Sequence, residues 1–163
     1  MSVTVQITHN EILSGISKAI YDVYGDTLNI YKEKQEYIDT PAVTMYCIDS
    51  EHTMGRYDRT THIYNIIINY FHNDSLIINN NRPNMFENAH IIAKAIEYIN
   101  LPAYTKDVDG QLIQTTLLNR GSNITIEEKE GFVQIGVTYT VRTKNYKELP
   151  KMKQLEYNES IGG

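Results

Sequence analysis

The sequence predicts an α+β domain, a mainly antiparallel sheet with two helices packed on one face, in the order helix, three strands, helix, three strands. Three observations carry this expectation. Two segments repeat apolar residues at helical spacing, Ile12-Leu13-Ile16-Ala19-Ile20-Val23 and Phe86-Ala89-Ile92-Ala93-Ile96-Ile99. About six other segments are rich in β-formers, and the clearest, Phe132 to Thr143, puts Val133, Ile135, Val137, Tyr139 and Val141 on one face. Nothing between Thr8 and Thr143 has the composition of an interdomain linker, so these elements are expected to share one core.

The elements follow in order. Thr8-His9-Asn10-Glu11 fits a capping box, in which the Thr8 hydroxyl and the Glu11 carboxylate satisfy free amides of the first turn, and Gly25-Asp26 supplies the stop. A short strand is expected from Thr27 to Glu33, then a polar connection to Thr40-Pro41 and a second strand from Ala42 to Asp49. Ser50 to Asp58 (SEHTMGRYD) reads as a polar loop. The third strand, Thr60 to Asn73 (TTHIYNIIINYFHN), is apolar on both faces. Tyr64, Ile66, Ile68 and Tyr70 share one side, and Ile63, Ile67 and Phe71 alternate with Asn65 and Asn69 on the other. Such a strand asks for helices on one side and a neighbour on the other, and that neighbour can be another subunit.

Asn79-Asn80-Asn81-Arg82-Pro83 then breaks the strand region, with Pro83 placed for the first turn of the second helix. Leu101-Pro102 is expected to end that helix. Asp109-Gly110 turns the chain into a strand from Gln111 to Leu118, and Asn119-Arg120-Gly121 reads as a loop. Two further strands, Asn123 to Lys129 and Phe132 to Thr143, are joined by the tight hairpin Glu130-Gly131.

Length and charge bound the function. A chain of 163 residues suits one domain, here residues 1–143, which buries enough surface to fold without a staple. Residues 144–163 read as a basic, extended tail, its positive charge gathered at the start, where Arg142, Lys144, Lys147, Lys151 and Lys153 cluster against the single carboxylate Glu148. That tail is either a solvated end or an arm that docks on an acidic surface. A net charge of −5 argues against a general nucleic-acid binder, which would carry a large basic patch. The amino terminus lacks the pattern of an export signal, and no run of eighteen apolar residues suggests a membrane span, so synthesis in the cytoplasm is expected. Cys47 alternates with Val43 and Met45 and is expected to be a core residue. Thirteen tyrosines and no tryptophan hint at contact surfaces.

Tests for chemistry yield little. His62 and His72 lie on one strand face but ten residues apart, roughly 33 Å if the strand is unbroken, so they cannot share a metal ion. Glu87-x-x-His90 has the spacing of a di-iron pair, but the first helix offers no matching pair, and an exposed helix pair is expected. Asp107-Val108-Asp109-Gly110 lacks the later ligands of a calcium loop and reads as a turn. No Gly-rich phosphate loop precedes either helix, and Ser14 and Ser17 sit inside a helix without an elbow motif. Neither an enzyme, a metal nor a cofactor is expected.

One family gathers these features. Ile12-Leu13-Ser14-Gly15-Ile16 through Tyr24-Gly25-Asp26, the Ile30-Tyr31 strand, Pro41-Ala42-Val43, Tyr64-x-Ile66-x-Ile68-x-Tyr70-Phe71, Ala95-Ile96-Glu97-Tyr98-Ile99 and the late Tyr139 strand resemble the tail terminator proteins of long-tailed phages and prophages from Gram-positive bacteria. The resemblance spans about Ile12 to Thr143 and rests on hydrophobic patterns. It implies a virion protein that forms a ring, usually a hexamer, on the head-proximal end of the tail tube, stops tube growth and presents a docking surface to the head connector. Its partners would be copies of itself, the tail tube protein, the sheath protein where there is one, and the connector or neck proteins. DNA would only pass through the lumen. No catalytic residue, cofactor or membrane contact is implied.

The candidate assembly surfaces are the loop with Glu51, Arg56, Tyr57 and Arg59, the Asn119-Arg120-Gly121 loop, and the tail lysines Lys147, Lys151 and Lys153, each weighed against an ordinary solvated segment. A neck or head-completion protein is the nearest alternative. A stand-alone ligand-binding domain and a hydrolase-like enzyme are the other classes.

Overall fold

The computed structural model describes residues 2–4, 8–33, 36–54, 59–106 and 108–147. The chain forms β1 (Ser2–Thr4), α1 (His9–Tyr24), a 3-10 turn (Gly25–Thr27), β2 (Asn29–Tyr31), β3 (Ala42–Met54), β4 (Arg59–Phe71), α2 (Met85–Ala95), β5 (Tyr98–Lys106), β6 (Leu112–Lys129) and β7 (Phe132–Lys147). The strands make one sheet in the order β2-β3-β4-β7-β6-β5, with β1 on the free part of β7. Every pairing is antiparallel except β2 with β3.

The predicted α+β class and the helix-strand order hold. The strand apolar on both faces is the centre of the sheet, since β4 pairs along its length with β3 on one side and β7 on the other. Tyr64, Ile66, Ile68 and Tyr70 point to the helices and are buried, as are Val133, Ile135, Val137, Tyr139 and Val141 of β7. Ile12, Ile16 and Ile20 of α1 and Ala89 and Ile92 of α2, with Ile96 just beyond it, close over them. Two buried polar links fix the helices. The Tyr24 hydroxyl donates to Asn88 Oδ1 at 2.8 Å, and Asn88 Nδ2 donates to the Pro83 carbonyl at 3.0 Å. The Tyr139 hydroxyl donates to the Ile96 carbonyl at the end of α2. Burial pushes the phenols of Tyr24, Tyr70 and Tyr139 well above their ordinary range, so each stays a neutral hydrogen-bonding group.

The last strand, β7, runs to Lys147, four residues into the expected tail, because β1 pairs with Asn145, Tyr146 and Lys147, and four other boundaries differ from the sequence reading. The first strand after α1 is only Asn29–Tyr31. The expected Ser50–Asp58 loop is largely strand, because β3 continues to Met54 with Glu51 opposite Ile63 and Thr53 opposite Thr61. A bulge between Cys47 and Asp49 breaks the apolar alternation there, and Ile48 is left exposed, which disguises the continuation. The second helix stops at Ala95, and Ile99, Leu101 and Pro102 belong to β5 instead. Ile96 and Ile99 fit helical spacing while Ile99 and Leu101 fit strand spacing, and an edge strand tolerates the proline that seemed to end a helix.

The fourth difference matters most. Asn119-Arg120-Gly121 is not a loop but the middle of one 18-residue strand, β6. That strand changes partner there, with Tyr98 opposite Arg120 and then Gly121 opposite Tyr139. Gly121 permits the crossing. A Cβ on it would stand 2.7 Å from Val137 Cγ2 and 3.1 Å from Tyr139 Cε1. Its amide donates to the Glu97 carbonyl at 2.7 Å. The Glu130-Gly131 hairpin is as expected, with Gly131 at a φ of 87°.

Candidate assembly surfaces

The partner change in β6 produces the surface that most needs explaining. From Leu112 to Arg120 the strand leaves β7 and, among the described residues, pairs only with β5, so the two form a ribbon. A two-stranded ribbon alone is marginal in water, and this one carries apolar side chains on both faces. Leu117 lies on the same side as Ile99 and Leu101, which pack towards α1, and Ile113 follows it outward. Leu118 lies on the opposite side with Tyr98. The exposures are 46% for Ile113, 44% for Leu117 and 59% for Leu118. Tyr98 and Val108 at the turn are exposed as well. An isolated surface leucine needs no account, but a contiguous set on a thin arm does.

At the base of the arm Arg120 sits 5.8 Å from the centre of the Tyr98 ring, and its guanidinium meets Glu97 at 3.4 Å. The sequence placed Arg120 on an assembly surface through a loop, and the structure places it exposed on the arm. The leucines beside it were overlooked. Their signal was Leu117-Leu118 itself, since adjacent residues in a strand face opposite ways, so two leucines mark a strand apolar on both sides.

The other candidate residues fall at one end of the sheet or outside the described residues. Glu51 is exposed near the end of β3. Arg59 begins β4 opposite Lys144, and Lys147 ends β7 opposite Ser2. The ends of β3 and β7 and the start of β4 therefore bring Glu51, Arg59 and Lys147 to the same margin, away from the Glu130-Gly131 hairpin. Arg56, Tyr57, Lys151 and Lys153 lie outside the described residues.

The outward sheet face, expected to meet a subunit through Asn65 and Asn69, is partly self-satisfied. Thr138 donates to Asn65 Oδ1 at 2.7 Å, and Asn65 Nδ2 donates to Asp49. Asn69 Oδ1 is buried without a partner among the described residues. Tyr46 of β3 is an exposed apolar residue on that face.

Two arrangements could suggest catalysis. Asp74 Oδ1, His72 and the Tyr70 hydroxyl form a line, with His72 Nε2 at 3.0 Å from the carboxylate and Nδ1 at 2.7 Å from the phenol. The order is that of a nucleophile, base and orienting acid. Tyr70 is fully buried, however, so its oxygen cannot reach a substrate, and the line ties the turn after β4 to the core. The other is Glu87 with His90. Glu87 is engaged as a cap, its carboxylate accepting the Asn84 amide at 3.3 Å while Asn84 Oδ1 accepts the Glu87 amide at 2.8 Å, and His90 packs on Phe86. Burial pushes the Cys47 thiol up, away from the reactive thiolate form. Among the described residues no three or more metal-binding side chains gather, and no helix is long and apolar enough to cross a membrane.

The sheet, the two helices and the unpartnered arm suit an assembly protein, and comparison with known families agrees. The family model described as "Phage tail terminator protein" matches residues 11–151. The chain belongs to the phage tail terminator family. The match takes in α1 from Glu11 onward, the whole of α2, the whole of β2 to β7 and the Arg120 arm. No curated protein matches the chain. Membership gives this terminator a structural role in the phage tail, in contact with other tail and head proteins, as a component of the virion.

Proposed function

We propose that this protein forms a closed ring on the head-proximal end of the phage tail tube, ends tube growth there and offers the docking surface for the head connector. The observation that carries the reading is the β5-β6 arm with Ile113, Leu117, Leu118 and Tyr98 open to solvent. In a ring each copy meets the next through two different surfaces, so an arm can lie on its neighbour and recover the burial it lacks alone. The ring is taken as a hexamer, following the family resemblance. The role is structural and not enzymatic.

The margin with Glu51, Arg59 and Lys147, together with Arg56, Tyr57, Lys151 and Lys153, is assigned to contacts with tube, sheath or connector. A net charge of −5 suits a ring through which DNA slides without sticking. Light scattering on the purified protein, followed by electron microscopy with tail tubes, tests the proposal. Rings bound at one tube end are expected. A protein that stays monomeric at every concentration and leaves tube ends bare would overturn it.

A further inference from the structure

The histidine pair judged in the sequence was the wrong pair. His62 is remote from His72 along β4, but the β3-β4 pairing sets it directly opposite His52. Directly opposed residues on antiparallel strands have Cβ atoms about 4.5–5.5 Å apart, close enough for two imidazoles to meet. Here they do meet, with the two Nδ1 atoms 2.5 Å apart and the ring centroids 4.7 Å apart. Tyr64 braces both rings, stacked parallel on His62 at 6.3 Å and edge-on to His52 at 6.0 Å. Tyr64 is itself buried, so the support is part of the core.

Two ring nitrogens converging on one point hold either a shared proton or a cation. Two zinc-bound nitrogens, each about 2.0–2.1 Å from the ion at a tetrahedral angle, stand about 3.3 Å apart. A small rotation of either side chain provides that spacing, and His52 is exposed and has room for it. The ligands must be neutral to bind.

We infer that His52 and His62 form a two-imidazole chelate for a late first-row divalent ion, of which Zn²⁺ and Cu²⁺ are the representatives to use. Imidazole suits these ions, whereas calcium and magnesium prefer oxygen ligands. Among the described residues two ligands converge, and with the remaining positions taken by water the site acts as a reversible clamp. Bound metal would tie β3 to β4 beside Met54 and Arg59, next to the Glu51 margin. The inference does not rest on ring formation.

The test uses the full chain without a histidine tag, titrated calorimetrically with ZnCl₂ and separately with CuCl₂. One ion per chain is expected for the parent and for a His9→Ala/His90→Ala control. His52→Ala and His62→Ala should each bind at least tenfold more weakly. Saturating zinc should also raise the melting temperature of the parent and the control but not of the His52 variant, because only the folded pairing presents both rings. His52→Gln, at an exposed position, keeps the test valid if a His62 variant does not fold. Absence of uptake by the parent, or equal affinity in parent and His52 variants, would overturn the inference.

Discussion

Replacing both leucines of the arm, Leu117→Ser with Leu118→Ser, should dissolve the ring and leave the fold intact. Burying a leucine fully is worth about 1.5–3 kcal/mol. Leu117 is 44% exposed and Leu118 59% exposed, so each has roughly half of that burial still to gain, about 1 kcal/mol apiece. The double variant therefore loses about 2 kcal/mol per contact, roughly thirtyfold in the affinity of one copy for the next. Because every copy in a ring makes this contact, assembly should require a much higher protein concentration. Sedimentation velocity across a concentration series reads the assembly, and thermal melting in parallel reads the fold. A double variant that assembles at the parent's concentrations would show that the arm carries no contact energy and would overturn its role in the ring. Loss of the folded state would refute it differently, by showing that the leucines hold the monomer together.

Other expectations concern the fold and the tail. Asn88→Ala leaves the buried Tyr24 hydroxyl without its side-chain acceptor and should cost about 2–3 kcal/mol, seen as a lower urea midpoint; combining it with Tyr24→Phe should cost less than the sum of the two. Gly121→Ala places a methyl 2.7 Å from Val137 Cγ2 where β6 changes partner, and a loss of about 1–3 kcal/mol is expected by the same measurement. An unaltered midpoint would mean that the crossing has slack. Deleting residues 148–163 should weaken binding to tail tubes and leave the melting temperature unchanged, whereas unchanged incorporation into tails would count against a docking role for Lys151 and Lys153. The cut belongs after Lys147, because Asn145, Tyr146 and Lys147 pair with Thr4, Val3 and Ser2.

The central part of this fold was legible because burial there is one-sided and regular. The stripe of Ile12, Ile16 and Ile20 faces the sheet, and the alternation from Val133 to Val141 marks the buried face of β7, as periodicity requires. Legibility ended where pairing no longer depends on burial. The polar run after Asp49 remains strand because β4 supplies its hydrogen bonds, and the bulge at Cys47–Asp49 hides this from any alternation rule. Ile96 to Leu101 served helix and strand patterns equally, and Pro102 favoured the wrong one because an edge strand forgives it. For the assembly surface, the sequence singled out Arg120 through its turn-like neighbours but missed Leu117 and Leu118, since exposed apolar residues imitate core ones. The opposition of His52 and His62 was hidden because it depends on strand register, which no local pattern reports.

The role proposed for this chain is to cap tail tubes as a ring. The most direct measurement is electron microscopy of tubes polymerised from purified tube protein with and without it. A ring is expected at one end only, with tube growth stopped at the capped end, and both effects should be lost in the Leu117→Ser/Leu118→Ser variant. Tubes that grow to the same lengths with bare ends in the presence of the parent protein would contradict it.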